Sequence, residues 1–508
     1  MKIHKNGATF EGTFYIPGEN EKCTGSLTIN SQRSVAFVMM GNIIKGTNRG
    51  QYLENPSTLY KTIPLIHFES RDSEMFTMYN SRIYPFLLHD QITLGYDGSS
   101  GETYCGNAFF DKKLLVSSVK FTFEGLCGWI NNSLELYDSL RNYYGSLEDL
   151  PDPYKTEELF QIQLEENTNL KLINYVTVLR KDYTNEVTLD ENPFIILESS
   201  RNNTFETYRE LIHIITLFFC FLSARILSIG SIIFTTITSQ GETTQSKDSF
   251  QFFGNEILIS DTQIDVDWRH FEYTYQQLSE NIEYILNSWL ELARCHMQEL
   301  DKYILLKSAP NTYYEGGFVD YARILETFHR KLYGEKDPKK DKLKTQHKKT
   351  IKKLTKEERI FLQKNAPFDP RFSFKNRIGD LLEDLLKHFS FSQGSRETMT
   401  KTEIDDIKDI ISRQFRDTRN YETHGDGNSK KNVVKGIDEY FYLLRLAEMI
   451  FRFSIFHKLF KNQENLINRT VHQNEATLYL KNLLKYMLQN STNNEERSKI
   501  NQLLTHFF

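Results

Sequence analysis

The stretch IDDIKDIISRQFRDTRNYETHG, residues 404–425, decides how the C-terminal part of this chain is interpreted. Its apolar side chains recur every three or four positions, at Ile404, Ile407, Ile411 and Phe415. This spacing places them on one face of an α-helix and leaves the polar residues on the other. Gly425 follows at once, and glycine readily takes the left-handed conformation that ends many helices. The sequence therefore predicts an amphipathic helix that ends beside Gly425.

Three further stretches show the same helical spacing of apolar residues. They are Phe318, Tyr321, Ala322, Leu325, Phe328 and Leu332, then Phe374, Ile378, Leu381, Leu385 and Phe389, and finally Ile437, Tyr440, Phe441, Leu444, Ala447 and Phe451. Four amphipathic helices with moderate connections form a bundle, because each buries its apolar face against the others. Two weaker helical patterns follow, at about 475–489 and 494–506. Residues 311–508 are therefore predicted to form an all-α domain built on a four-helix bundle.

The N-terminal part has the alternation of short strands and turns that is typical of a β-rich domain. Short runs such as GTFYI (12–16), GSLTI (25–29) and SVAFVMM (34–40) are separated by clusters of Gly, Asn, Pro and Ser. Strands at this spacing predict a sandwich or a barrel-like domain over residues 1–200. Residues 201–310 mix helical and strand patterns and are predicted to connect the two domains. The fold class is therefore α+β.

Composition limits the possible functions. The chain has 508 residues and a formal net charge of −5, so any contact with nucleic acid must come from local basic clusters. Its five cysteines show no C-x-x-C or Cys/His spacing, which predicts neither a disulfide framework nor a metal site. No cofactor is expected. The first residues, MKIHKNGATFEGTFYIPG, contain no apolar segment of a signal peptide, so a cytoplasmic location is expected.

One apolar stretch resembles a membrane span. Residues 211–237 read LIHIITLFFCFLSARILSIGSIIFTTI, with Arg225 near the middle. A central arginine is costly in lipid, so a buried helix to about Ala224 and a strand over Ile229 to Ile237 are predicted instead. We therefore expect no stable membrane association. A membrane-attached toxin built around this stretch remains a minor alternative.

A lysine-rich insertion, at 336–356, interrupts the helical part of the chain. It lies in KDPKKDKLKTQHKKTIKKLTKEER, between the first and second predicted bundle helices. Charge runs of this kind usually form solvated linkers. The alternative is a basic strap that binds nucleic-acid phosphates and makes binding salt-dependent.

The candidate chemistry lies in RNYETH, where Arg419 and His424 stand at the predicted helix end. Metal-free RNA cleavage requires that a proton leave the 2′-hydroxyl, that another reach the leaving oxygen, and that cationic charge support the phosphorane. Histidine can take either proton role near neutral pH. Arginine supplies a permanently charged fork that matches phosphate oxygens. The negative end of the helix dipole favours a cationic His424, which suits a general acid.

Helix geometry qualifies this pair. Five positions on an ideal helix turn the side chain by about 140°, so Arg419 and His424 do not share one line. The arginine can swing back, the helix can unwind near Gly425, or a partner subunit can complete the site, and we favour the last. Two similar pairs, Arg452 with His457 and Arg323 with His329, lie within helical patterns and are interpreted as structural.

Several segments of the chain resemble the HEPN superfamily, and more narrowly the ApeA-type anti-phage HEPN proteins. The bundle segments are YARILETFHRKLYG (321–334), FKNRIGDLL (374–382) and RNYETHG (419–425). In the N-terminal half, FEGTFYIPGENEKCTGSLTI (10–29) and VSSVKFTFEGLCGWI (116–130) are similar to the β-rich domain of that family. The resemblance spans most of the chain. The lysine-rich insertion departs from the generic bundle.

The resemblance implies a metal-independent endoribonuclease of abortive infection, with RNA of the translation apparatus, such as tRNA, as the target. It further implies a homodimer through the bundle and an unknown phage trigger. Arg419 would bind the phosphate and His424 would act as acid or base. Asn420 and Arg416 would contact the RNA. Glu326 would hold the site residues in position without contacting the RNA. The plain alternative for Arg416 and Glu326 is ordinary salt bridging on a helix surface.

A second hypothesis comes from the class of binding proteins. In it the bundle is a catalytically inactive HEPN dimer that acts as a sensor or scaffold, because the helix geometry separates Arg419 from His424. A sensing role for the β-rich domain is inferred only because such a domain precedes the HEPN domain in these proteins. Cleavage of RNA in EDTA, and its dependence on His424, separates the two hypotheses.

Overall fold

The structure is a computed structural model of the chain. It describes residues 4, 7–19, 21–30, 33–41, 61–87, 94–110, 115–130, 154–165, 167–180, 187–240, 244–254, 266–308, 313–335, 349–365, 372–388, 400–425, 433–461, 463–473, 476–491 and 493–505. The chain divides into two compact units, Met1–Asn287 and Ser288–Phe508. Each unit is described by itself.

The first unit contains thirteen strands among its described residues, and each pairs antiparallel with its neighbours. The strands are β1 (Thr9–Tyr15), β2 (Lys22–Ile29), β3 (Val35–Met40), β4 (Lys61–Ser70), β5 (Met75–Leu87), β6 (Leu94–Ser100), β7 (Glu102–Gly106), β8 (Val116–Phe123), β9 (Tyr154–Glu165), β10 (Thr168–Arg180), β11 (Val187–Asn203), β12 (Ile229–Gln240) and β13 (Thr244–Gly254). The helices are α1 (Leu126–Ile130), α2 (Phe205–Ser223) and α3 (Tyr275–Leu278), together with 3₁₀ turns at Trp268–His270 and Ser279–Asn281.

Six of these strands close on themselves. The order β4–β1–β2–β3–β6–β5 is completed by a pairing of β5 with β4. Alternate side chains of these strands point inward and fill a core of aromatic and aliphatic groups that includes Phe14, Leu27, Phe37, Phe68 and Phe76. The barrel-like alternative for the N-terminal domain is therefore confirmed, and the protein is α+β as predicted.

The remaining strands continue from the barrel as one sheet. β5 also pairs with β7, and the order runs on through β13, β12, β8, β11 and β10 to β9. α2 covers one face of this extension, where Phe219 contacts Phe123 with ring centroids 4.4 Å apart and Phe205 contacts Phe234 at 4.9 Å. Because β12 and β13 lie in the middle of the sheet, residues 229–254 do not connect two domains, which differs from the predicted boundaries of 1–200 and 201–310.

The apolar stretch 211–237 folds as the sequence predicted. α2 is capped at its start by Thr204, and it ends at Ala224, which takes the left-handed conformation with φ 51°. After a short turn, β12 begins at Ile229 and pairs with β8. Within the described residues, no helix is both long and apolar enough to cross a bilayer.

Arg33 joins the barrel to the extension. Its guanidinium is buried and donates to the carbonyl oxygens of Ile229, at 3.0 Å, and Phe252, at 2.8 Å. It also lies over the Phe253 ring, 5.6 Å from the centroid. Burial lowers the pKa of Arg33 to about 10, so the side chain stays charged at neutral pH.

The second unit is helical. Its helices are α4 (Ile282–Ser308), whose first turns precede the division at Ser288, then α5 (Tyr314–Tyr333), α6 (Lys356–Asn365), α7 (Phe374–Leu386), α8 (Lys401–His424), α9 (Ile437–Leu459), α10 (Glu464–Gln473), α11 (Ala476–Asn490) and α12 (Asn494–Thr505). The four predicted apolar stripes lie on α5, α7, α8 and α9, apart from Phe389, which lies outside the described residues, and these helices pack together. Ring contacts mark their core, with Phe318 and Phe415 centroids 5.3 Å apart and Phe328 and Phe451 also 5.3 Å apart.

The lysine-rich insertion is described only at its end. Of the predicted range 336–356, residues 336–348 lie outside the described residues, and α6 begins at Lys356. The choice between linker and phosphate strap therefore stays a prediction.

Candidate functional site

The motif residues occupy the last two turns of α8. The helix begins at a capping box, in which Thr400 and Glu403 each accept from the other's backbone N–H. It continues without interruption to His424, and Gly425 caps it in the left-handed conformation with φ 62° and an N–H bonded to the Tyr421 carbonyl. The helix therefore does not unwind before the motif ends. The rotation of about 140° between Arg419 and His424 applies to the folded protein.

Arg419 is held by three neighbours. Its Nη2 lies 3.2 Å from Glu326 Oε2 on α5, and its Nη1 donates to Asn420 Oδ1 at 3.2 Å. The guanidinium also lies over the ring of Phe374, 5.2 Å from the centroid, at the first turn of α7. The side chain keeps 24 % of its surface exposed. The cation is therefore oriented by three helices and still accessible to a ligand.

Glu326 is shared between two arginines. Its Oε1 lies 3.4 Å from Arg330 Nη2, four residues along α5, while its Oε2 binds Arg419. Each arginine is thus paired with a different oxygen of one carboxylate. Arg330 Nε also lies 3.9 Å from Glu335 Oε1, so the two arginines are matched by two carboxylates.

His424 is exposed at the C-terminal end of α8. Among the residues that the structure describes, its ring has no hydrogen bond and no ion pair. Asn420 lies four positions earlier and therefore on the same side of the helix. The imidazole is thus free to meet a substrate or a second subunit, and it lies on a different side of α8 from Arg419.

Arg416 is directed elsewhere. Its Nε lies 2.6 Å from Asp417 Oδ1, and 39 % of its side chain is exposed. It stands three positions before Arg419 on α8, so the two side chains leave neighbouring parts of one face. Among the described residues, no side-chain hydrogen bond or ion pair joins Arg416 to Arg419, Asn420 or Glu326. Of the predicted site residues, the structure thus brings Arg419, Asn420 and Glu326 together and leaves Arg416 and His424 apart from them.

The end of α8 is attached to the start of α9. The Tyr440 hydroxyl donates a short hydrogen bond to Glu422, and the Thr418 hydroxyl accepts from the Val434 N–H at 3.3 Å. Burial, and then the nearby Glu422 carboxylate, raise the pKa of Tyr440. The phenol therefore stays protonated and serves as a donor, and these contacts fix the helix turn that carries the motif.

Phe374 and Tyr440 were assigned to the core by their helical spacing. Their contacts with the motif turn were not predicted. Phe374 is the first residue of α7 after the cap at Ser373, and its side chain is only half-buried. An aromatic residue at the first turn of a helix, where one side meets solvent, is the feature that could have singled it out.

In the two similar Arg/His pairs, Arg323 is exposed and pairs with Asp320, while Arg452, His457 and His329 pack within the bundle. Arg452 is 4 % exposed and donates to the Tyr303 hydroxyl at 2.7 Å, while burial lowers the pKa of His457. His329 is fully buried between Arg377, at 3.2 Å from Nδ1, and Asp380, at 3.1 Å from Nε2. Since arginine only donates, the Nδ1 atom of His329 accepts and its Nε2 atom donates.

Within the described parts of the chain, no three or more His, Cys, Asp or Glu side chains are grouped in a way that could hold a metal ion.

A helical bundle with Arg and His five positions apart at the end of its third helix, preceded by a β-rich domain, has the architecture of a HEPN protein. Two family models agree with it. The model described as Apea-like HEPN matches residues 319–465, and the model described as ApeA N-terminal domain 1 matches residues 9–289, more than half of the chain. The chain belongs to the ApeA family of HEPN proteins, which indicates a role in anti-phage defence. No curated protein and no solved structure shows significant similarity to it.

Proposed function

We propose that this protein is a metal-independent endoribonuclease that cleaves RNA by attack of a 2′-hydroxyl on the adjacent phosphate. The observation that carries the proposal is the placement of Arg419. Its guanidinium is oriented by Glu326, Asn420 and Phe374, and its side chain is 24 % exposed on the helix that also presents His424. Membership in a family whose HEPN domains are generally ribonucleases supports it.

The chemistry needs few groups. As the 2′-oxygen bonds to phosphorus, the bond to the 5′-oxygen breaks, which leaves a 2′,3′-cyclic phosphate and a 5′-hydroxyl. One proton leaves the 2′-oxygen and one reaches the 5′-oxygen. In the proposal Arg419 donates to the non-bridging phosphate oxygens, which carry the developing charge. His424 transfers one of the two protons, and Asn420 hydrogen-bonds the RNA or the His424 ring.

We infer that two copies of the bundle form the working enzyme. Arg419 and His424 of one copy leave α8 in directions about 140° apart, so a single subunit does not present both side chains to one phosphate. A two-fold dimer repeats each surface, which lets the arginine of one copy face the histidine of the other across a shared cleft. The dimer is thus part of the proposed active site.

The decisive test uses purified full-length protein and RNA in EDTA. Wild type is expected to cut RNA and to leave 2′,3′-cyclic phosphate ends. His424→Ala is expected to lower the rate at least about 100-fold, the usual scale for the loss of a general acid or base. Arg323→Ala is a matched control, because Arg323 is an exposed arginine of the same bundle whose ion pair is with Asp320. Undiminished cleavage by His424→Ala would remove the assignment.

The biological role proposed with this activity is abortive infection, with tRNA or other RNA of the translation apparatus as the target in the cytoplasm. Sequencing of RNA ends from infected cells that carry wild type or His424→Ala tests it. Ends that appear only with wild type, and that fall in translation RNA, are expected. Ends shared equally by both strains would contradict the proposal.

The second candidate is a catalytically inactive dimer that acts as a sensor or scaffold. It is favoured by the ion pair of Arg419 with Glu326, which occupies the side chain that a phosphate would need. Folded dimer that leaves RNA intact, together with defence that survives His424→Ala, would establish this candidate in place of the nuclease.

A further inference from the structure

A small cleft opens between α8, α9, α11 and α12 in the helical unit. Its volume is about 60 Å³, which is room for about four ordered water molecules. Gln414, which lines the cleft, stands five positions before Arg419 and leaves α8 in a direction about 140° away from that side chain. The cleft is therefore separate from the Arg419 site.

The side-chain amide of Gln414 faces this cleft without a partner. The residue is 6 % exposed, and within the part of the chain that the structure describes its side chain makes no hydrogen bond. A buried amide that gives up water and gains no partner in the protein is destabilising. Because the amide carries one acceptor oxygen and two donor hydrogens, a hydroxyl or amide group of a ligand would satisfy it.

Glu439 adds a buried negative charge to the wall of the cleft. The residue is 9 % exposed, its Oε2 accepts from the Lys435 backbone N–H at 3.0 Å, and its Oε1 accepts from the Asn490 side-chain amide. Both donors are neutral, and among the described residues no cation pairs with this carboxylate. The first turn of α9 stabilises the charge through the helix dipole without neutralising it. The carboxylate oxygens keep lone pairs for an ammonium group.

The rim of the cleft supplies the opposite charge. Lys435 is exposed, and its ammonium has no ion pair with any residue that the structure describes. Val433, Leu483 and Met487 form the apolar part of the wall. The cleft thus presents a carboxylate, an ammonium and a neutral amide to one small molecule.

We propose that this cleft binds a small free α-amino acid whose side chain carries a hydroxyl or an amide. The ligand's ammonium pairs with Glu439, its carboxylate with Lys435, and its side chain hydrogen-bonds the Gln414 amide. A simple anion would leave Glu439 without a cation, and a simple cation would leave Lys435 without an anion, so a zwitterion is the class that matches both. The Val434 N–H, between two residues that line the cleft, binds the Thr418 hydroxyl. The bound molecule therefore adjoins a contact that holds the end of α8.

The experiment is a calorimetric titration of the full-length protein with L-serine, L-threonine and L-asparagine in turn. At least one of them is expected to bind with a dissociation constant below about 1 mM, which lies within the limit for ligands of about seven to nine heavy atoms. Two analogues of serine test the zwitterion. Ethanolamine lacks the carboxylate and N-acetyl-L-serine lacks the ammonium, so each is expected to bind at least about tenfold more weakly.

Variants of the lining residues locate the binding. Glu439→Gln keeps an acceptor for the Lys435 N–H and removes the charge, and Gln414→Leu removes the amide; each is expected to weaken binding at least about tenfold. Lys458→Gln and Gln502→Leu are the matched controls, because these residues are exposed on α9 and α12 and do not line the cleft. Both controls are expected to bind like wild type, and equal melting temperatures of the unliganded proteins exclude a loss of folding.

Each other outcome overturns the proposal. If none of the three amino acids gives saturable binding, the cleft holds water only. Ethanolamine that binds as tightly as serine assigns the cleft to a simple cation, and N-acetyl-L-serine that does so assigns it to a simple anion. Affinity for the amino acid that is unchanged in both Glu439→Gln and Gln414→Leu places the ligand elsewhere on the protein. The titration does not involve RNA, so its result stands apart from the proposed nuclease activity.

Discussion

Arg419 is prepared for a phosphate by the groups that already bind it. Glu326 supplies a carboxylate at 3.2 Å, in the place where phosphate oxygens would lie in a complex. Arg330 shares that carboxylate, so Glu326 keeps a cationic partner if Arg419 turns to RNA. The exchange leaves no buried charge unpaired, which keeps its cost low. Glu326 is therefore better suited to orienting Arg419 than to acting on RNA itself.

Phe374 gives a prediction at the scale of one residue. Its ring supports the Arg419 guanidinium at 5.2 Å, and such a contact contributes about 0.5–1 kcal/mol at a partly exposed site. Phe374→Leu is expected to lower the cleavage rate about two- to fivefold, while Phe374→Tyr, which keeps the aromatic face, should retain it. Single-turnover cleavage measures both. Equal rates for the leucine and tyrosine variants would show that the ring face has no part in placing Arg419.

Gly425 gives a prediction at the scale of the helix end. Its φ of 62° is a conformation that costs a residue with a Cβ about 1–2 kcal/mol. Gly425→Ala is expected to lower the free energy of unfolding by about that amount and to slow cleavage, because the turn that carries His424 frays. Thermal unfolding and the cleavage rate are the measurements.

Gly316 of α5 provides the matched control for Gly425. A Cβ there would meet open space, and the residue lies inside a regular helix. Gly316→Ala is therefore expected to be neutral or to stabilise by up to about 1 kcal/mol, and to leave cleavage unchanged. If both alanine variants behaved alike, the left-handed cap would not be what stabilises the end of α8.

His296 gives a pH prediction for α4. The residue lies at a kink in the helix, with φ −122°, and burial lowers its pKa to about 4, an effect larger than the attraction of Glu299 or the repulsion of Lys331. Between this value and the ordinary pKa of about 6.5, the unfolded chain binds more protons than the folded one. Stability is therefore complete above about pH 6.5 and falls as the pH decreases toward 4.

The free energy of unfolding is expected to fall by about 2 kcal/mol between pH 7 and pH 5. Urea unfolding of the full chain, followed by a signal of the helical unit, measures it. His296→Gln has no group that titrates in this range and should flatten the difference. A pH dependence that the glutamine variant retains in full would assign it to other residues.

At the scale of the whole molecule, the dimer proposal makes a prediction about mixed subunits. If one site takes Arg419 from one copy and His424 from the other, a dimer of Arg419→Ala with His424→Ala contains one intact site. Equal mixing should restore roughly a quarter of wild-type activity, since half of the dimers are mixed and each has one of two sites. The two variants are combined by co-expression, and RNA cleavage is measured.

The control for subunit mixing combines Arg419→Ala with the double variant that also carries His424→Ala. No pairing of these chains contains an intact site of either kind, so no activity is expected. If the first mixture is as inactive as its separate components, the two residues act within one copy and the shared cleft is wrong.

Several elements of the fold could be predicted from local patterns in the sequence. The stripes of α5, α7, α8 and α9 predicted the bundle, because a period of three and four depends only on the local chain and on one buried face. Thr400 and Gly425, at the two ends of α8, follow the same local rules. The stretch 211–237 was likewise divided into a helix and a strand, since one central arginine and a β-branched run are local features.

The tertiary structure decided what depends on distant partners. The order of residues along the chain did not predict that β12 and β13 join the middle of the N-terminal sheet, or that Arg33 of the barrel binds the Ile229 carbonyl. The local sequence of a strand does not specify which distant strand it pairs with. The sequence alone placed Arg419 and His424 at a helix end. Only the packed bundle brought Glu326 and Phe374 to Arg419, because side chains from three helices meet there through burial and charge pairing across many residues.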